Sequence, residues 1–399
     1  MDPSASEEAM LPPFVAPVLA LCALLAAIVA FRRARSLRAR KHDRLRVCTF
    51  ANHKGGVGKT TSALFCAQRL ARENGARNVL VIDCSIYGDL TRLLLGTSAD
   101  FFSGPAEASL IAARHTCEDY AAALHAARVG LLARVGLGAA PPDVRAHVHQ
   151  VRTTCAGAPS NLFLMTNRAQ WLNGPNRPVV DARSPDDESG LGAATNDELS
   201  AVAQSLRASL ATGEDEWLVL VDTDGGLLHG MTKLALCVAD SIVVPTNADT
   251  ADVRRLHVML RFMRQLHAAG LSTGRIDLCF FNALKVKANE PSDKMASLGL
   301  PFSVADDVFD EMAKLAAVLA ELHAEFPDLL PAVELEGPRA DVRAGSFFAG
   351  VRHGGVTLQR VKDRPYDAQL SDAVEADFGR LCARIDQLAS AKTLHFKTD

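Results

Sequence analysis

A glycine-rich segment set between an apolar run and a helical one constrains this chain more than any other feature. Leu45–Ala51 (LRVCTFA) reads as a buried strand, and Thr60–Asn74 (TTSALFCAQRLAREN) reads as a helix closed by Gly75. Between them stands Lys54-Gly55-Gly56-Val57-Gly58-Lys59-Thr60-Thr61. Glycines let successive backbone N–H groups turn toward one anion, and the following helix adds the positive end of its dipole. A glycine-rich turn that merely precedes a helix needs neither a lysine nor two hydroxyls at its end. Strand, loop and helix in this order predict an α/β chain whose loop holds phosphate.

The spacing G-x-x-x-x-G-K-[ST] is met with one shift: His53-Lys54-Gly55 stands at its start and Gly55-Gly56-Val57-Gly58-Lys59-Thr60 is its core. Lys59 is placed to reach the β- and γ-phosphates, and the Thr60 hydroxyl to ligand Mg²⁺. Gly55, Gly56, Val57, Gly58, Lys59, Thr60 and Thr61 are the expected nucleotide contacts, with ATP and Mg²⁺ as cofactors.

Beyond the loop, short apolar runs alternate with helical ones, which implies a mostly parallel sheet flanked by helices. Further strands are expected at Val79–Asp83, Asn161–Met165, Trp217–Asp222, Ser241–Pro245 and Ile276–Phe281, with another at Val333–Leu335. Helical spacing covers Glu198–Ala211, Val304–Phe326 and Ala368–Leu388, and residues 104–150 are Ala-rich and helical in tone. Residues 173–197 crowd Gly, Pro, Asn and Asp without periodicity and read as a surface loop.

Lys54, the second lysine of the loop, makes K-G-G-x-G-K-T-T, which resembles the deviant Walker A motif of the ParA/MinD family of P-loop ATPases (CobQ/CobB/MinD/ParA nucleotide-binding domain). The resemblance implies a three-layer P-loop NTPase fold and a homodimer with ATP sandwiched, in which Lys54 reaches the partner's nucleotide. It also implies catalytic roles for Lys54, Lys59 and Asp83. Asp83, in Val81-Ile82-Asp83-Cys84-Ser85, matches the family's first aspartate, and Ser85 stands where a second aspartate would orient the attacking water. Serine can hold a water but carries no charge to polarise it. Asp222 ends Leu218-Val219-Leu220-Val221-Asp222, so Thr60, Asp83 and Asp222 form the implied metal set. Asn282, after Phe280-Phe281, is the implied contact to the adenine, and Pro338-Arg339 the segment over the base.

The amino terminus follows other rules. Ala9–Phe31 carries no charge over 23 residues, and Phe14–Phe31 is almost wholly apolar. At ~1.5 Å per residue such a stretch spans roughly 30 Å, the thickness of a hydrocarbon core. Residues 32–46 then carry seven Arg and one Lys against one Asp, while Asp2, Glu7 and Glu8 precede the run. A cleaved signal peptide would want the positive charge first. The expected organisation is a short non-cytosolic tail (1–10), a transmembrane anchor (11–31), a basic juxtamembrane linker (32–44) and the ATPase domain (45–399). That makes a single-pass membrane protein with its ATPase domain on the cytosolic side, residues 11–31 and 32–46 being its contacts with lipid.

Bulk composition excludes some classes. The nine cysteines contain no C-x-x-C pair, so neither a zinc ribbon nor a disulfide framework is implied. A net charge of −3 does not favour a DNA-coating protein, although the basic arm leaves DNA open as a partner. The function these features imply is a positioning or partitioning ATPase acting on an unknown protein partner or cargo. Ser85 supports the alternative of a scaffold that senses ATP without hydrolysing it.

Overall fold

The computed structural model describes residues 44–85, 88–95, 110, 113–129, 142–153, 157–166, 196–212, 215–226, 230–247, 250–282, 306–330, 334–335, 346–348 and 372–390. The anchor segment 11–31, the linker up to residue 43, loop residues 173–195, and Pro338-Arg339 lie outside them. Among the described residues no helix is long and apolar enough to cross a membrane.

The strands are β1 (Leu45–Phe50), β2 (Arg77–Cys84), β3 (His149–Gln150), β4 (Leu162–Met165), β5 (Glu216–Thr223), β6 (Ser241–Thr246), β7 (Arg275–Phe281), β8 (Glu334–Leu335) and β9 (Ser346–Phe348). They form one sheet in the order β3-β4-β2-β5-β1-β6-β7-β9-β8. Every neighbouring pair is parallel except the short edge pair β3 and β4. The described helices are α1 (Lys59–Glu73), α2 (Asp89–Leu95), α3 (Cys117–Val129), α4 (Asn196–Leu210), α5 (Gly230–Val238), α6 (Thr250–Ala268), α7 (Asp306–Glu325) and α8 (Asp372–Ser390). This is the expected α/β sheet with helices on both faces.

The central strands are near-continuous apolar runs because both faces are covered. Alternation along each strand sorts them. Val47, Leu80, Ile82, Val219 and Val221 pack with α4, α5 and α6 on one face. Cys48, Phe50, Val79, Val81, Leu218 and Leu220 pack with α1, α2 and α8 on the other. Successive strand side chains point to opposite faces, so Asp83 and Asp222, two residues beyond Val81 and Leu220, belong to the α1 face.

Helix α1 is buried on nearly all sides. It lies between the sheet and α8, whose Phe378 ring sits 4.5 Å from that of Phe65. Helix α6 went unread in the sequence although its buried stripe, Leu256, Met259, Leu260, Met263 and Leu266, has helical spacing. Arg261 and Arg264 interleave that stripe, and Arg254 and Arg255 stand just before it, which masks it in a linear reading.

Candidate functional site

β1 is the strand at which the chain reverses direction: β5 and β2 lie on one side of it, β6 and β7 on the other. Crevices at such a point, beyond the carboxyl ends of the strands, are where open α/β sheets bind ligands. The residues at that edge are in register, with Phe50 opposite Asp222 and Asp222 opposite Asp83.

The glycine-rich loop leaves β1 here and turns into α1. Gly56 and Gly58 have φ of 74° and 88°, left-handed values that side chains rarely adopt. Gly58 caps α1, and a Cβ there would also collide with the amide of Asn282. On the other flank a Cβ on Gly225 would come within 3.3 Å of the Gly55 nitrogen. His53 Nδ1 lies 2.6 Å from the Gly225 carbonyl oxygen. The Asn282 side chain donates through Nδ2 to the Val57 carbonyl at 2.8 Å. The loop is thus clamped between the segments following β5 and β7, which fixes the amides a phosphate would meet.

Lys59 is buried and donates from Nζ to the Lys54 carbonyl at 2.7 Å. Burial lowers its pKa, while Asp222 and Asp224 pull the other way. Lys54 turns away from the loop: its Nζ lies 2.6 Å from Asp252 Oδ1 in the first turn of α6.

The two strand-end aspartates are both completely buried. Asp83 Oδ1 accepts from the Ser85 amide at 3.0 Å and the Ser85 hydroxyl at 2.7 Å. Its Oδ2 accepts from the Thr91 amide at 2.8 Å and the Thr91 hydroxyl at 2.7 Å. Burial raises the Asp83 pKa, and these four bonds oppose the rise. Asp222 differs: neither carboxylate oxygen has a well-formed hydrogen bond among the described residues. Its pKa is pushed well up by burial and then by the Asp83 charge, with the neighbouring Thr60 hydroxyl and Lys59 opposing. A buried carboxylate whose oxygens lack a well-formed hydrogen bond, beside a threonine hydroxyl, is a donor set suited to a hard cation such as Mg²⁺.

The family model described as an AAA domain matches residues 45–116, the stretch that holds the loop, α1, β2 and Asp83. Within it the loop carries Lys54 as well as Lys59. Over this stretch the chain matches the AAA-domain model, and its loop resembles that of the ParA/MinD P-loop ATPases. Solved structures to which it is similar include apo McdA from Cyanothece, at 16% identity over 86% of this chain and 98% of that one, with a TM-score of 0.49. A putative plasmid partition protein from Borrelia burgdorferi bound to AMPPNP is similar at 14% identity, covering 86% and 98%, with a TM-score of 0.48. The MinC:MinD cell division protein complex of Aquifex aeolicus is similar at 14% identity, covering 85% and 96%, with a TM-score of 0.42. No curated protein matches the chain.

The glycine-rich loop and the strand ends beside it thus gather Lys54, Gly55, Gly56, Val57, Gly58, Lys59, Thr60, Thr61, Asp83, Asp222 and Asn282 at one edge of the sheet. Two of them stand in unexpected company. Lys54 is paired within its own chain, and the Asn282 amide nitrogen serves the loop carbonyl rather than standing free for a base. Sequence reasoning missed Thr91, Gly225 and Asp252. Of these only Asp252 left a signal, as an acid in the first turn ahead of an apolar stripe.

Proposed function

We propose that this chain is a membrane-anchored ParA/MinD-like ATPase that binds Mg-ATP and forms a nucleotide-sandwich dimer to position or organise other components. The observation that carries the nucleotide part is Asp222, a buried carboxylate whose oxygens lack a well-formed hydrogen bond, beside the Thr60 hydroxyl at the foot of a P-loop. The loop amides from Gly55 to Lys59 bind the phosphates, and the buried ammonium of Lys59 lies beneath them. Thr60 and Asp222 would hold Mg²⁺, Asp222 through water, and the ion supplies neutralisation of charge on the β- and γ-phosphates. The apolar segment 11–31 and the basic run 32–46 support a single-pass anchor with the domain on the cytosolic side. Partner and cargo would act on the surface of the dimer.

A second reading, the non-hydrolysing ATP-sensing scaffold, is favoured by one specific contact. The Ser85 hydroxyl donates its proton to Asp83, and serine itself brings no carboxylate to polarise a water. Such a scaffold would tie assembly to ATP concentration by mass action alone. The full chain in lipid nanodiscs, assayed for Mg-ATP binding and turnover beside Lys59→Ala, decides between the two. The ATPase reading expects turnover above the Lys59→Ala background. Tight ATP binding with turnover equal to that background would leave the scaffold.

A further inference from the structure

The contact between Lys54 and Asp252 is the one that the family resemblance leaves unexplained. Asp252 is fixed from behind: Oδ2 accepts from the Asn247 amide at 2.9 Å and the Thr246 hydroxyl at 3.2 Å. Its side chain is 1% exposed, and Oδ1 faces the Lys54 ammonium at 2.6 Å. Arg255 comes no closer to that oxygen than 4.0 Å, so Lys54 is its close cation among the described residues. A carboxylate buried so deeply holds its counter-ion firmly, because losing it leaves a charge without compensation. Lys54 is also fixed through its backbone, whose carbonyl accepts the Lys59 ammonium. One ammonium cannot lie against Asp252 of its own chain and over a partner's nucleotide at once.

We propose that Asp252 is a latch in cis: it holds Lys54 on its own subunit, and dimerisation exchanges this carboxylate for the phosphates of the partner's nucleotide. The inference rests on the dimer described under Proposed function. The exchange moves no proton and breaks no covalent bond; the ammonium leaves one anion for another. Apparent dimer affinity falls with the square of the fraction of subunits whose Lys54 is free, one factor for each subunit. A latch closed nine times in ten weakens association by about tenfold per subunit. Asp252 also ties the loop to the start of α6, and release of Lys54 removes that tie while Asn52 still donates to the Pro245 carbonyl of β6 at 2.7 Å.

Two readouts on the full chain in detergent test this. The first is acylation of lysines by an N-hydroxysuccinimide acetate in the nucleotide-free protein, read by mass spectrometry with Lys233 as internal reference. Asp252→Asn and Asp252→Ser should both label at Lys54 several-fold faster than wild type. Equal Lys54 labelling in all three overturns the latch. The second readout is sedimentation velocity with Mg-AMPPNP. The Asp252 variants should self-associate up to about a hundredfold more tightly, tenfold for each subunit, and adding Lys54→Ala should abolish that gain. Faster labelling with unchanged or weaker association also overturns the latch, because Asp252 would then aid Lys54 rather than restrain it. Faster labelling with no dimer in any chain overturns the dimer reading itself, and the regulatory role with it.

Discussion

Asp83 and Asp222 are neighbours in register on adjacent strands, equally buried, and opposite in how the protein treats them. The end of β2 is finished: four donors from Ser85 and Thr91 fill the acceptor positions of its carboxylate. The end of β5 is left open, with a carboxylate that the chain desolvates and does not satisfy. A buried polar group without partners costs free energy, and such a cost is retained where something outside the chain removes it. The β2 end is thus satisfied within the chain and the β5 end is not, although both aspartates read alike in the sequence.

The sharpest way to break this comparison is Asp83→Ala. It strands four donors in the interior and should cost about 3 kcal/mol or more in urea unfolding. A cost no larger than that of Asp222→Ala would erase the distinction. Next comes Thr91→Val, which removes one charge-assisted bond while keeping the shape and should cost about 2 kcal/mol. Asp222→Asn should go the other way and stabilise the nucleotide-free protein by about 1 kcal/mol, since it relieves a desolvated charge.

The pH dependence gives a smaller and independent check. The folded pKa of Asp222 stands above its unfolded value of about 3.9, so the native state binds its proton more tightly. Its stabilising contribution is full below that unfolded value and is lost as pH rises through the folded pKa. Denaturation curves should therefore show wild type falling behind Asp222→Asn as pH rises above about 4. A difference that stays constant with pH would place the proton elsewhere.

Much of the fold was legible because hydrophobic period and turn chemistry are local. LRVCTFA, VLVID and WLVLVD each became a central strand of the sheet, within two residues at either end. The P-loop was legible because its glycines and lysine announce their own geometry. What stayed hidden depends on contacts between distant segments. Nothing local says that Gly225 must lack a side chain to let Gly55 approach, or that Asn282 would clamp Val57. The difference between Asp83 and Asp222 was hidden for the same reason, since Thr91 reaches Asp83 only once α2 has folded back over β2. Helix α6 was missed because its arginines mask the apolar period, and with it went the acid that meets Lys54.

The account turns on Asp222 being the open carboxylate of a Mg-ATP site. Isothermal titration of ATP into the full chain, with and without Mg²⁺, for wild type and Asp222→Asn, tests this most directly. The account predicts that Mg²⁺ tightens ATP binding to wild type by about tenfold or more, roughly 1.4 kcal/mol, and leaves Asp222→Asn unchanged. Equal tightening in both proteins, or a Mg²⁺ effect lost in Asp83→Asn and kept in Asp222→Asn, would contradict it.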